Sequence, residues 1–390
     1  MVSNVLESTP RRSTLQEQKQ EEHFVTDKNM IPTRRQLLSC PAAMLAPRNQ
    51  WYVAALSQEV TRGMLSRRIL DDPIVFFRTQ DGSPVGLADR CPHRGVPLSM
   101  GVIKDDVIRC AYHGFEFGKT GVCHRVPSQS RIDSQLAVRS YPLREIGPYI
   151  WIWMGDPAQA DESLLPDQFE LGITRPGWRI TPILVMEMGC NYQLLHENLL
   201  DVSHISFLHT GLLDSGSMAA APFKANYTGG RVRISRDLDE TPNDTMAKTF
   251  SLPAGKPVRR TLITEAIPPQ LSVITNIFVD PEKPGASPHI IIGPQGVTPS
   301  GKNRCLNFLV HCTSYPDEQP EDAPSHIRKL FNQDRVVLEA IQKRFDEEGW
   351  DSPEVSVMAD SAALNFRLKM VKLVEAELEK AARAKTVGSA

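Results

Sequence analysis

The chain has 390 residues, 41% of them hydrophobic, with a formal net charge of −2 and a mean hydropathy of −0.27. That length can bury a large core and leaves room for a second domain. The near-neutral charge excludes a general attraction to nucleic acid or anionic membrane, and no apolar run of about 18 residues offers a transmembrane span. Seven cysteines, at 40, 91, 110, 123, 190, 305 and 312, form no dense framework. They read as reduced thiols of a cytoplasmic protein rather than a disulfide scaffold.

Residues 1–47 are polar, rich in Gln, Glu and Arg and without a hydrophobic repeat, and read as a mobile tail. The twin arginine at 34–35 is followed by an apolar stretch too short for an export signal. From Trp51 to Met154, short runs of β-branched and aromatic residues alternate with turn residues. "DPIVFFRTQDGSPVGLAD", with its Asp-Gly turn, and "REIGPYIWIWMGD" are examples. A change of composition at "DPAQADESLLPDQFELG" marks a boundary near 156, giving units 48–156 and 157–390.

The first unit holds Cys91-x-His93 and, sixteen residues after His93, Cys110-x-x-His113. A structural zinc site is one reading of two Cys and two His. Each pair, however, mixes one thiol with one imidazole. That suits a two-iron cluster with thiolates on one iron and imidazoles on the other, which raises its potential into the range of an electron acceptor. Pro92, Gly95, Gly114 and Gly118 shape the two loops, and Tyr112 is placed to donate a hydrogen bond to a cluster sulfur. Cys123-His124 lacks such spacing and reads as packing or surface.

In the second unit, Leu194, Leu195, Leu199, Val202 and Ile205 recur at helical spacing within "CNYQLLHENLLDVSHISFLHTG". On that helix Asp201 and His204 share a face, and reaching His209 requires the helix to bend or end near Phe207. Asn198, Asp201, His204 and His209 are therefore candidates for a centre of two imidazoles and a distant carboxylate with open positions on the metal. The spacing differs from the His-Glu-x-x-His of zinc proteases. Residues 221–315 return to strand-like segments, and two helices, over 328–349 and 361–385, close the chain, an α+β order. Asn276 and His311, polar positions on these strands, could orient a carboxylate or ether of a ligand.

Two aspartates compete for the missing carboxylate: Asp334 in "FNQDRVVLEA" and Asp360 in "VMADSAALNF". Asp334 lies within a helix whose Leu330, Val337, Leu338 and Ile341 face the core, which would hold it rigidly. Asp360 reads as the N-cap of the last helix. Asp334 is the preferred ligand.

With both motifs in one chain, the sequence over about 48–380 resembles the oxygenase (α) subunits of Rieske non-haem iron oxygenases. "WYVAAL", "YPLREIGPYIWIWMGDPAQAD" and "NQDRVVLEAIQKRF" are similar to the branch that demethylates vanillate and dicamba and acts on toluenesulfonate, with phthalate- and phenoxybenzoate-type dioxygenases near by. The resemblance implies an all-β Rieske domain with a [2Fe–2S] cluster on Cys91, His93, Cys110 and His113. A helix-grip catalytic domain with mononuclear Fe(II) on His204, His209 and Asp334 follows, in a head-to-tail homotrimer. It implies electrons from NAD(P)H through a separate reductase, with or without a ferredoxin, since no Gly-rich nucleotide fingerprint occurs here. It implies O- or N-demethylation of a small aromatic compound, the alternative being ring dihydroxylation to a cis-diol or aryl-ether cleavage. Asp201 would link His204 or His209 to His113 of a neighbouring subunit.

Overall fold

A computed structural model describes residues 45–213, 216–315, 323–350, 352 and 354–387. The tail expected over 1–47 lies outside them as far as residue 44. Residues 45–47 are not loose, because the Tyr192 hydroxyl donates to Leu45 O at 2.9 Å and the Tyr52 hydroxyl to Pro47 O at 2.7 Å.

The first unit is strand and turn throughout: β1 (Trp51–Leu56), β2 (Leu65–Ile69), β3 (Asp72–Arg78), β4 (Pro84–Ala88), β5 (Val102–Lys104), β6 (Val107–Arg109), β7 (Glu116–Phe117), β8 (Cys123–Arg125), β9 (Leu143–Ile146) and β10 (Tyr149–Trp153). They form three antiparallel sheets, ordered β1-β10-β9, β2-β3-β4 and β5-β6-β7-β8. The expected Asp-Gly turn joins β3 to β4 with Gly82 at φ 86°, a conformation open mainly to glycine.

β1 and β10 are buried on both faces, and period-two alternation sorts their side chains. Tyr52, Ala54, Ile150 and Ile152 pack with Ile74 and Phe76 of β3. Trp51, Val53, Tyr149, Trp151 and Trp153 pack instead with Val273, Leu306, Phe308 and Val310 of the second unit. The approach is close enough that a Cβ on Gly296 would sit 2.6 Å from Val53. The composition change near 156 is thus no break in packing: the two units share a core.

The second unit is built on β11 (Arg179–Met188), β12 (Phe223–Asn226), β13 (Val232–Glu240), β14 (Val258–Ile267), β15 (Leu271–Val279), β16 (His289–Gly301) and β17 (Arg304–Thr313). These make one antiparallel sheet ordered β11-β17-β16-β15-β14-β13-β12. Among the described residues five α-helices accompany it: α1 (Tyr192–Leu200), α2 (Ile205–Leu208), α3 (Asp244–Phe250), α4 (Ala323–Glu348) and α5 (Ser361–Val387). Leu194, Leu195 and Leu199 of α1, Phe331 and Leu338 of α4 and Phe366 and Met370 of α5 meet Met186, Val232, Ala266 and Leu309 of the sheet in one core. This is the expected antiparallel sheet gripped by helices. The short α3 interrupts the stretch expected to be all strand; the Asn243 side chain starts it by accepting from Met246 N at 2.9 Å.

Candidate active site

Two loops of the first unit have the same construction. Cys91 N donates to Val96 O and Gly95 N to Cys91 O, both at 2.8 Å; Cys110 N donates to Phe115 O at 2.8 Å and Gly114 N to Cys110 O at 3.1 Å. Gly95 (φ 75°) and Gly114 (φ 69°) close these turns in the left-handed region. Cys91 and Cys110 face inward and are buried, while His93 and His113 face outward with ring centroids 4.5 Å apart. Burial pushes the Cys91 thiol up, and the neighbouring Cys110 sulfur adds to it. Desolvation, then His113 and Arg94, hold His93 below its usual range. Two adjacent buried thiols capped by two imidazoles at the surface are the donor set of an asymmetric iron–sulfur cluster. Tyr112 is 64% exposed, with its ring against His113. Cys123 is buried and His124 exposed.

In the second unit the helix carrying the motif breaks earlier than expected. α1 ends at Leu200, and Asp201 adopts an extended conformation (φ −98°, ψ 95°). Its carboxylate accepts from Ser203 N at 2.9 Å and so starts a separate 3-10 turn over Val202–His204. This is the usual competition of a short acidic side chain with helix continuation. Asp201 and His204 therefore do not share a helix face. The break instead frees the Asp201 carbonyl, which accepts from His204 Nδ1 at 2.7 Å. The expected contact between an imidazole and the Asp201 carboxylate is replaced, within the chain, by this backbone contact. The carboxylate's charge acts on the buried Arg236.

His209 follows α2. Its Nδ1 donates to Gln333 Oε1 at 2.9 Å, and its Nε2 lies 3.2 Å from Asp334 Oδ1. His204 Nε2 lies 3.5 Å from the same oxygen. Both rings thus spend Nδ1–H on an orienting oxygen and turn Nε2 to one point, the tautomer that ligation requires. His204, His209 and Asp334 have one ligand atom each within 4.8 Å of one another, and they are the sole such cluster among the described residues. Burial lowers His204. His209 is raised: burial opposes its protonation, but the hydrogen bond and charge of Asp334 outweigh it, with Gln333 helping. A carboxylate only 4% exposed between two imidazoles calls for a cation, and two nitrogens with one oxygen fit ferrous iron with its remaining positions open.

α4 carries Asp334 inward because Leu330 and Leu338 are buried beneath it. Val337, expected on the same face, is 39% exposed; its apolarity serves a surface groove rather than the core. Asp360 does not cap α5 either. Its carboxylate turns back to accept from Val357 N at 2.7 Å, and the chain is already helical at Ser361. Asn198, the remaining candidate, donates from Nδ2 to Asp334 Oδ1 at 3.2 Å.

His204, His209 and Asp334 border a cavity between the helices and the sheet. Leu199, Val202, Phe250, Leu262, Ile274 and Leu309 form much of its wall, with Asn276 and His311 among its polar lining. Arg260 also lines it, and neither Arg260 nor its partner Glu240 figured among the sequence candidates. Both stand at buried positions of an alternating strand, so a charge in inward register was the available signal. On its outer side His204 lines a groove with Asp201, Val337, Glu354, Val355 and Asp360.

Comparison with known proteins matches residues 50–142 to the Rieske [2Fe-2S] domain and residues 188–376 to the vanillate O-demethylase oxygenase C-terminal domain. The chain is 32% identical to the putative toluene-4-sulfonate monooxygenase system iron-sulfur subunit of Comamonas testosteroni, over 85% of this chain and 97% of that one. It is 32% identical to the oxygenase component of dicamba O-demethylase from Stenotrophomonas maltophilia, over 85% and 98%. The crystal structure of dicamba monooxygenase bound to 3,6-dichlorosalicylic acid superimposes with a TM-score of 0.76 at 29% identity, over 85% of this chain and 98% of that one.

Proposed function

This chain belongs to the Rieske non-haem iron oxygenases with a vanillate O-demethylase-type catalytic domain, and on that premise we propose that it monooxygenates and demethylates, at oxygen or nitrogen, a small aromatic compound. The observation that carries this reading is the largely apolar cavity bordered by His204, His209 and Asp334. It accommodates an aromatic ring and sets a substituent against a three-ligand metal position. Relatives named for dicamba and vanillate O-demethylation, and for chloroacetanilide N-alkylformyl chemistry, point to dealkylation.

The cofactors of the family are a Rieske [2Fe–2S] cluster and a mononuclear ferrous ion; the first supplies electrons singly and the second activates dioxygen. Cys91, His93, Cys110 and His113 hold the cluster in this reading, and His204, His209 and Asp334 the ferrous ion. Asn198 steadies the Asp334 carboxylate, the apolar wall excludes water, and Asn276 and His311 orient the substrate. Residues 48–156 make the cluster-bearing domain and 157–390 the catalytic one, with a reductase, alone or with a ferredoxin, supplying electrons from NAD(P)H. Among the described residues no helix is long and apolar enough to cross a membrane.

Electrons cross between subunits of a homotrimer. Supporting this, the cluster loops present exposed Arg94, Met100, Val102 and Tyr112, whereas the groove outside His204 presents Asp201, Glu354 and exposed Val355. Charge and apolar surface are complementary, which supports a meeting of the partner subunit's His113 with Asp201 in that groove.

The test is turnover of candidate aryl methyl ethers and N-methyl compounds with a reconstituted reductase under isotopically labelled dioxygen. Release of formaldehyde with one labelled atom incorporated is expected. Two labelled atoms in one ring product would establish dihydroxylation and overturn the proposal.

A further inference from the structure

We propose that the cavity is built for an uncharged substrate, and that Glu240 sets this preference by cancelling the charge of Arg260. The proposal rests on the reading that this cavity takes the substrate. It goes further in naming the substrate's charge and the residue that selects for it.

Arg260 is the one Arg or Lys among the described residues lining the cavity, and its side chain is 2% exposed. Its charge is fully engaged. Nε and Nη2 donate to Asn276 Oδ1 at 2.9 and 2.6 Å, and Nη1 donates to Leu213 O at 2.8 Å and to Glu240 Oε2 at 3.3 Å. The guanidinium also lies over the rings of Phe250 and Phe278. The Glu240 side chain is 0% exposed and pairs with Arg260 at 3.3 Å from the neighbouring strand, so the ion pair contributes no net charge to this wall. His311 adds none near neutral pH, since burial holds its pKa down to about 4.

An anionic substituent entering here would lose its hydration, and no free cation on the sheet wall would replace it. The reacting methyl must face the His204–His209–Asp334 end, on the helices, so a charged substituent would have to settle against this neutral wall. The wall offers neutral hydrogen-bonding groups instead. Because both Arg260 bonds fall on Asn276 Oδ1, the amide is fixed with its oxygen toward Arg260 and its NH2 turned away, a donor suited to a carbonyl or ether oxygen. His311 Nδ1 is buried without a hydrogen-bond partner. The arrangement fits an aryl ether, amide or ketone rather than a carboxylate or sulfonate.

The experiment is calorimetric binding, without turnover, of the ortho, meta and para methoxybenzamides and the isosteric methoxybenzoates to the full-length iron-loaded protein, anaerobically near neutral pH. For the tightest isomer the wild type should bind the amide at least about tenfold more tightly than the benzoate. Glu240→Gln leaves Arg260 uncancelled and should move that ratio about tenfold or more toward the benzoate. The double variant Glu240→Gln, Arg260→Gln removes both charges and should return the ratio to the wild-type value; it also carries the test should the single variant fail to fold. A wild type that binds benzoate as tightly as amide overturns the proposal. So does a folded Glu240→Gln protein with an unchanged ratio, or a double variant whose ratio departs from the wild type. Binding of none of the probes would instead sink the reading of the cavity as an aromatic site, an outcome distinct from a reversed preference.

Discussion

Replacing Gln333 by leucine removes the side-chain contact that orients one of the two histidines proposed to hold the metal. His204 is held by the Asp201 backbone carbonyl, which no substitution deletes, whereas His209 depends on the Gln333 side chain at 2.9 Å. The His209 ring is 2% exposed, so its Nδ1–H would lose its partner largely out of water. An unsatisfied buried donor costs about 1–3 kcal/mol. Loss of a contact that orients a metal ligand lowers metal affinity about 10–100-fold, or about 1.4–2.8 kcal/mol at 1.4 per factor of ten; the two estimates agree. Anaerobic competition of the protein with a chromophoric chelator reads the Fe(II) affinity directly, while the visible absorption of the cluster reports that the first domain is undisturbed. Gln333→Glu, which gives the imidazole a carboxylate partner, should bind iron at least as tightly as the wild type. A Gln333→Leu protein whose iron affinity stays within about twofold of wild type would refute the reasoning.

Asp334→Ala should lose mononuclear iron and keep cluster absorption; if Asp360→Ala does so instead, the carboxylate assignment fails. Asp201→Asn should leave both centres loaded and the cluster reducible yet nearly abolish product, and loss of iron would make Asp201 merely structural. Mixed oligomers of His113→Ala and His204→Ala should regain part of the activity if electrons cross between subunits, and inactivity of every mixture would rule that out. Burial also holds His196 down to about 3 and His311 to about 4, against 6.5 for the free group. Between pH 6.5 and about 4 the unfolded chain therefore binds more protons than the native one, and stability should fall as pH drops through that window, by up to ~2.7 kcal/mol per pH unit for the two together. Urea unfolding across the range checks the sign, and His196→Gln should remove about half of the slope.

Features set by contacts close in sequence were the legible ones. The spacing Cys91-x-His93 and Cys110-x-x-His113 implies two similar loops, and similar loops form, because a glycine four residues after each cysteine closes the turn. His204 and His209 could be picked out by type and spacing, and Asp334 by its setting in a long amphipathic helix. The break at Asp201 was hidden because apolar periodicity runs on through Val202 and Ile205, while the competing bond from Ser203 N is a local event that periodicity does not record. Val337 was misplaced for a related reason: hydrophobic pattern reports apolarity, not which surface uses it. Arg260 and Glu240 were hidden within strands of ordinary composition, since a buried ion pair across two strands shows only once the register is known.

The proposed ligands of the metal position are far apart along the chain: His204 and His209 precede six strands of the large sheet, and Asp334 follows the last of them. During synthesis the two histidines leave the ribosome long before the carboxylate that completes their site. A nascent chain that has made α1 and α2 can offer a passing metal only two imidazoles, and weak retention follows. Tight ferrous binding must wait until the sheet has closed and α4 has docked. By then the walls that shield the metal are in place. Premature termination anywhere before α4 should accordingly yield polypeptides that retain no mononuclear iron, however well their first domain has folded.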